Sequence, residues 1–163
     1  MLAHHVGLAV SGDGSFVGGA AGVLSMLQSL GIETGSDVVY DGSGLSRSNR
    51  LSPATMLQVL QTAARPDLPD LRALVTGLPV AGFTGSLAAR FASADMAALG
   101  DVRAKTGTLS GVSSLAGLVT GSDGTQMVFV LAVDKTGKAR ESDVEAALDG
   151  LAADLAACLC GSG

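Results

Sequence analysis

The chain has 163 residues, of which 47% are hydrophobic and 3% aromatic, with 23 glycines, no tryptophan and a formal charge of -5. That length fits one ordinary domain, and the apolar share is enough for a globule whose core is built from Ala, Val, Leu and Met. The basic residues are scattered, which leaves no footprint for a phosphate backbone and argues against a nucleic-acid partner. No run of about 18 apolar residues exists, so no membrane-spanning helix is expected.

The N-terminus, Met1-Leu2-Ala3-His4-His5-Val6, has no basic cluster and no uninterrupted apolar stretch, and so makes a poor signal peptide. Residues 1 to 10 read as the tail of a helix. Ser15 is placed to cap a second helix, with Phe16, Ala20, Val23, Leu24 and Leu27 at helical spacing and Gly31 at its end. Gly12, Gly14 and Gly18 imitate a dinucleotide-binding turn, but the spacing is off by one and no strand and helix alternation follows.

Asp37 to Tyr40 is a short strand candidate, followed by a Gly and Ser turn from Asp41 to Ser46. Ser43 within Gly42-Ser43-Gly44 does not complete a Gly-x-Ser-x-Gly elbow, because Asp41 stands where the first glycine should be. It reads as a structural turn. Ser52 and Pro53 form a cap and an N1 proline for a helix with Met56, Leu57, Leu60 and Ala64 on one face, and Pro66 and Pro69 stop it. Shorter helices are expected over Leu71 to Thr76 and Ser86 to Phe91.

From Val102 the texture changes to strands. Val112 to Thr120 and Gln126 to Asp134 flank Gly121-Ser122-Asp123-Gly124-Thr125, a hairpin connection. Met127, Phe129, Leu131 and Val133 face one way, Val128, Val130 and Ala132 the other. Both faces are apolar and both need cover. One cover is a C-terminal helix, opened by the capping-box pattern Ser142-Asp143-Val144-Glu145 and striped by Val144, Leu148, Leu151 and Leu155. Cys158 and Cys160 are too few for a metal site and read as structural. His4 and His5 read as an exposed or helix-end pair.

The sharpest chemical feature is Lys105-Thr106-Gly107-Thr108, at the start of a strand. Acyl transfer develops negative charge on a carbonyl oxygen, and a backbone N–H on an edge strand is a preorganised donor for it. The tripeptide recurs at Lys135-Thr136-Gly137, which ends a strand and precedes the C-terminal helix, and there it reads as a polar turn. Context selects the first copy. Asp41-Gly42-Ser43-Gly44-Leu45-Ser46-Arg47, Pro53-Ala54-Thr55-Met56, Leu78-Pro79-Val80-Ala81-Gly82 and Gly85-Ser86-Leu87-Ala88-Ala89-Arg90-Phe91 precede it, and Ser110-Gly111-Val112-Ser113 through Leu115-Ala116-Gly117 follow.

Together these segments resemble the C-terminal part of the D-Ala-D-Ala carboxypeptidase and endopeptidase family, the low-molecular-mass class C penicillin-binding proteins. The resemblance is clearest from Asp41 to Val119. It implies an α+β chain, part of the serine β-lactamase/transpeptidase-like fold, with an antiparallel sheet flanked by helices and a C-terminal helix packed on it. It also implies that residues 1–163 are the C-terminal portion of such a domain.

By the same resemblance Lys105 supplies positive charge, Thr108 the backbone donor, Thr106 and Thr108 the hydroxyls for a substrate carboxylate, and Gly107 room for the substrate backbone. The implied ligands are cell-wall stem peptides ending in D-Ala-D-Ala, and β-lactams, handled outside the cytoplasmic membrane without a metal or other cofactor. Such enzymes also need Ser-x-x-Lys and Ser-x-Asn. No Ser here has Lys three positions later, and no Ser-x-Asn occurs, since Ser46-Arg47-Ser48-Asn49 does not fit it. The chain alone is therefore expected to be inactive, with the missing N-terminal part of the enzyme as a partner. The alternative is a non-catalytic module that binds such peptides or a partner. Arg47 is read as a buried tether rather than a catalytic group.

Overall fold

The computed structural model describes residues 1–92 and 96–159, which form two compact units, Met1–Val59 and Leu60–Gly163. In the first, α1 (Leu2–Ser11) and α2 (Phe16–Ser29) make a helical hairpin. The Gly12 to Gly18 segment thus follows a helix rather than a strand, which removes the dinucleotide imitation. Ser15 caps α2 as expected, its hydroxyl accepting from the Gly18 amide at 3.0 Å.

The buried face of α2 keeps only Ala20 of the expected apolar stripe, with Val23, Leu24 and Leu27 half-buried. Gly18, Gly19, Ala20 and Gly22 are buried, while Phe16 is 69% exposed. The helices approach so closely that a Cβ on Gly7 would lie 2.8 Å from the Gly18 carbonyl oxygen, and one on Gly22 would lie 3.0 Å from the Gly7 Cα. Side chains longer than hydrogen have no room between these backbones.

Asp37 to Tyr40 does not form the expected strand, because its pairing is a single bridge between Val38 and Arg50. Asp41 Oδ1 accepts from the Ser43 amide, the Ser43 hydroxyl and the Gly44 amide, each at 3.0 Å. Partial loss of hydration raises the Asp41 pKa, but the hydrogen bonds outweigh it and hold the carboxyl below the ordinary carboxylate value. Ser43 is a turn residue, its oxygen also accepting from the Leu45 amide at 3.2 Å. Arg47, expected to be buried, is exposed. The unit boundary falls within α3 (Pro53–Ala64), whose first turn is capped by Ser52 Oγ accepting from the Thr55 amide at 3.0 Å.

In the second unit, a 3-10 turn at Pro69–Leu71 leads into α4 (Arg72–Thr76). The helix expected over Ser86 to Phe91 is only a 3-10 turn, Gly85–Leu87, and the chain leaves it through Phe91 at φ 67°. Three strands follow, β1 (Val102–Leu109), β2 (Val112–Thr120) and β3 (Gln126–Asp134), antiparallel in the order β1-β2-β3. The register sets Lys105 opposite Ala116 and Leu115 opposite Leu131. Strand alternation then gathers Val102, Ala104, Leu115, Val119 and Phe129 on one face, in a single core with Leu148, Ala152, Ala153 and Ala156 of α5 (Glu141–Ala157).

α5 begins one residue before the expected capping box. Arg140 is its N-cap, and Ser142 lies inside the first turn. The buried stripe is Leu148, Asp149, Ala152, Ala153 and Ala156, leaving Leu151 52% exposed. Alanines let the helix lie close to the sheet. Cys158 follows α5, and Cys160 falls outside the described residues.

The 79–91 segment is held at both ends. The Ala81 amide donates to Val102 O and the Ala104 amide to Pro79 O, each at 2.9 Å, so the segment adds a short bridge to the outer edge of β1. At the far end, Arg90 meets Asp149 in a two-pronged pair, Nε to Oδ2 at 2.8 Å and Nη2 to Oδ1 at 2.7 Å. Arg90 also donates to Glu145 O at 3.1 Å, and the Phe91 amide donates to Asp149 Oδ2 at 3.2 Å. With side-chain exposures of 14% for Arg90 and 7% for Asp149, solvent cannot replace either partner cheaply.

Asp149→Ala should therefore lose stability, by up to about 3–5 kcal/mol, because it takes the two-pronged partner from the largely buried Arg90 and leaves it only Glu145, whose carboxylate lies 3.1 Å away. A urea midpoint unchanged from the parent would refute that weight. The glycines predict effects of opposite sign. Gly7→Ala should destabilise by about 1–3 kcal/mol through backbone collision, whereas Gly150→Ala, which meets nothing within 4 Å, should stabilise α5 by about 0.5–1 kcal/mol. Thermal unfolding of the two variants measures both.

Candidate active site

The motif lies on β1, where the edge changes character. The bridge from Pro79 to Ala81 takes up the outward-facing carbonyl of Val102 and the outward-facing amide of Ala104. In an antiparallel pair, alternate residues direct both N–H and C=O to the same side. The backbone groups of Thr106 and Thr108 therefore face the same outer edge, past the point where the bridge ends. Arg103, Lys105 and Gly107 turn theirs inward to β2.

Side chains alternate in the other sense. Thr106 and Thr108 share the face of Ala104, and Lys105 shares the opposite face with Arg103. Lys105 nevertheless reaches the edge, since its Nζ bends back to donate to Thr106 O at 2.7 Å. An ammonium, the outward backbone groups of Thr106 and Thr108 and the Thr106 hydroxyl thus lie along one short stretch of strand edge. This is an arrangement suited to an anion or a polarised carbonyl. Neither Lys105 nor Thr108 is buried.

Gly107 is constrained from within the sheet. A Cβ there would run into the Ser114 hydroxyl, which donates to Gly107 O at 3.4 Å. Thr106 Oγ1 donates to Ser86 Oγ at 3.1 Å. Ser86 belongs to a segment singled out in the sequence, but nothing local to it announces this contact. Arg90 and Asp149 were likewise unassigned. The available signal was Asp149 itself, a carboxylate at helical spacing with Ala152, Ala153 and Ala156.

The second Lys-Thr-Gly lies apart from this edge. Lys135 has φ 53° and Gly137 φ 61°, and the Ala139 amide donates to Thr136 O at 3.1 Å, the geometry of a turn after β3. His4 is half-buried, with Nδ1 2.6 Å from Gly14 O and its ring edge-on to Phe16 at 4.8 Å, while His5 is exposed. On the sheet face opposite α5, a cavity of about 360 Å³ is lined by Arg72, Thr76, Asp101, Arg103, Leu118 and Gln126 among others, and includes none of the motif residues.

Residues 1–155 match the model of the D-Ala-D-Ala carboxypeptidase 3 (S13) family. The chain is 40% identical over 163 residues to carboxypeptidase DacB of Mycolicibacterium smegmatis, covering 99% of this chain and 35% of that protein. It is 40% identical over 116 residues to D-alanyl-D-alanine carboxypeptidase DacB of Haemophilus influenzae, covering 71% of this chain and 24% of that protein. The chain therefore spans about a third or less of the relatives it matches.

Among solved structures, penicillin binding protein 4 (dacB) from Haemophilus influenzae, complexed with a novel beta-lactam, superposes with a TM-score of 0.78 at 34% identity. The match covers 86% of this chain and 32% of that one. The α+β architecture and the sequence resemblance lead to the same place: this chain belongs to the D-Ala-D-Ala carboxypeptidase 3 (S13) family.

Proposed function

We propose that residues 1–163 are the C-terminal portion of a serine-type D-Ala-D-Ala carboxypeptidase domain, and that Lys105 to Thr108 form its substrate-binding wall. The observation that carries this reading is the open half of β1, where Lys105 Nζ lies at the same edge as the Thr106 and Thr108 backbone groups. A stem peptide ending in D-Ala-D-Ala would lie along that edge, its penultimate carbonyl oxygen on the Thr108 amide and its terminal carboxylate on the threonine hydroxyls. Lys105 would offset the charge that develops during acylation. β-Lactams would occupy the same edge, since they carry both a reactive carbonyl and a carboxylate.

The step itself needs a nucleophilic hydroxyl and its base, and this sequence has no Ser-x-x-Lys to supply them. The proposed partner is a segment that bears that motif and Ser-x-Asn, and the reaction draws on no cofactor. Cell-wall peptides as substrate place the activity outside the cytoplasmic membrane. Among the described residues no helix is long and apolar enough to cross a membrane. The missing motif also favours a second reading, a module that holds these peptides without cleaving them.

Labelled penicillin separates the two. The 163-residue chain should form no covalent adduct, and joining an upstream segment that carries Ser-x-x-Lys and Ser-x-Asn should restore acylation. In that joined form Lys105→Ala should reduce the acylation rate by about 10²-fold or more, on the scale of losing a preorganised electrostatic group. Lys135→Ala should leave it within about twofold, as expected of an exposed turn residue. Equal losses would refute the choice between the two copies, and reversible retention without acylation in the joined form would favour the binding module.

A further inference from the structure

The 79–91 segment brings one side chain to the motif, and the chemistry of that contact is specific. Ser86 sits in the 3-10 turn Gly85–Leu87, fixed on one side by the Val80 amide donating to Thr84 Oγ1 at 2.9 Å and by the Gly82 amide donating to Leu87 O at 3.0 Å. On the other side Arg90 and the Phe91 amide hold the chain to Asp149. Leu87 between them is 0% exposed. The Ser86 hydroxyl is thus presented to Thr106 from a backbone with little freedom, although the side chain itself is exposed.

We propose that Ser86 is a positioning residue for the Thr106 hydroxyl, selecting its rotamer and reversing its own hydrogen bond when a carboxylate binds. The carboxylate part rests on the proposed seating of a terminal carboxylate on Thr106 and Thr108. In the free site Thr106 donates its only hydroxyl hydrogen to Ser86 Oγ at 3.1 Å. A carboxylate can only accept, so a carboxylate on Thr106 needs that hydrogen. A serine hydroxyl rotates about its Cβ–Oγ bond at little cost, and after rotation it donates to Thr106 Oγ1 while Thr106 donates to the carboxylate. No proton changes owner. The chain of two donors polarises the Thr106 hydroxyl and makes it a stronger donor than it would be alone. Alanine at this position removes both the anchor and the polarisation, and threonine keeps both.

Three-bond couplings across the Thr106 χ1 torsion, measured by NMR on the isotopically labelled chain, test the contact without a ligand. One rotamer should dominate in the parent and in Ser86→Thr, and the couplings should average in Ser86→Ala, while the Val102 to Ala104 amides stay in place. Unchanged couplings in Ser86→Ala overturn the proposal. Titration with an acetylated peptide ending in D-Ala-D-Ala then tests the carboxylate part. Ser86→Ala should weaken the apparent Kd by about three- to tenfold, the scale of one hydrogen bond, with recovery in Ser86→Thr. If the couplings respond as expected but no form binds the peptide, the contact stands and the peptide-wall reading is what fails.

Discussion

The pair between Arg90 and Asp149 is the constraint on which the site-bearing unit turns. Buried opposite charges are tolerated only when their remaining hydrogen-bonding capacity is met. Here Asp149 takes both prongs of the guanidinium and the Phe91 amide, while Glu145 contributes its carbonyl and its carboxylate. The pair fixes the 79–91 segment to α5. Because α5 packs on the sheet through its alanine stripe, the same pair sets that segment against β1.

From that anchoring the character of the β1 edge follows. An exposed edge strand presents unpaired amides and carbonyls, a liability that proteins usually cover. In this unit the cover is partial. The segment bridges β1 antiparallel, Pro79 beside Ala104 and Ala81 beside Val102, and leaves past Val102 through Gly82; the bridge begins only at Pro79, so the next outward pair, Thr106 and Thr108, faces the uncovered half. The turn that ends the bridge also delivers Ser86 to Thr106. Covering one half of the edge and furnishing the other are thus two consequences of one loop path.

Helix faces show where sequence patterns mislead. Spacing alone marks Phe16, Ala20, Val23, Leu24 and Leu27 as the inner face of α2, yet of these only Ala20 is fully buried, beside Gly18, Gly19 and Gly22, since backbone contact with α1 excludes larger side chains. In α5 the leucine stripe read from the sequence is rotated. Leu148 is shared and Leu155 packs partly buried against the core, but Ala152, Ala153 and Ala156 supply most of the buried contact and Leu151 faces out. Hydrophobicity scales weigh side-chain area, whereas close approach rewards its absence. In a chain rich in glycine and alanine the second effect decides.

Local patterns were enough for several features set by strand alternation and turn chemistry. The hairpin of β2 and β3, the Ser15 and Ser52 caps, the Asp41 turn and the turn character of the second Lys-Thr-Gly could all be read from neighbouring residues. What needed the tertiary structure was every relation across long separation: Arg90 with Asp149, Ser86 with Thr106, and the point at which the β1 edge becomes open. The sequence by itself identified a motif and the strand that carries it. Only folding decided which backbone groups of that strand remain available and which hydroxyl stands beside it, because edge pairing depends on where a distant segment stops, and no local spacing records that.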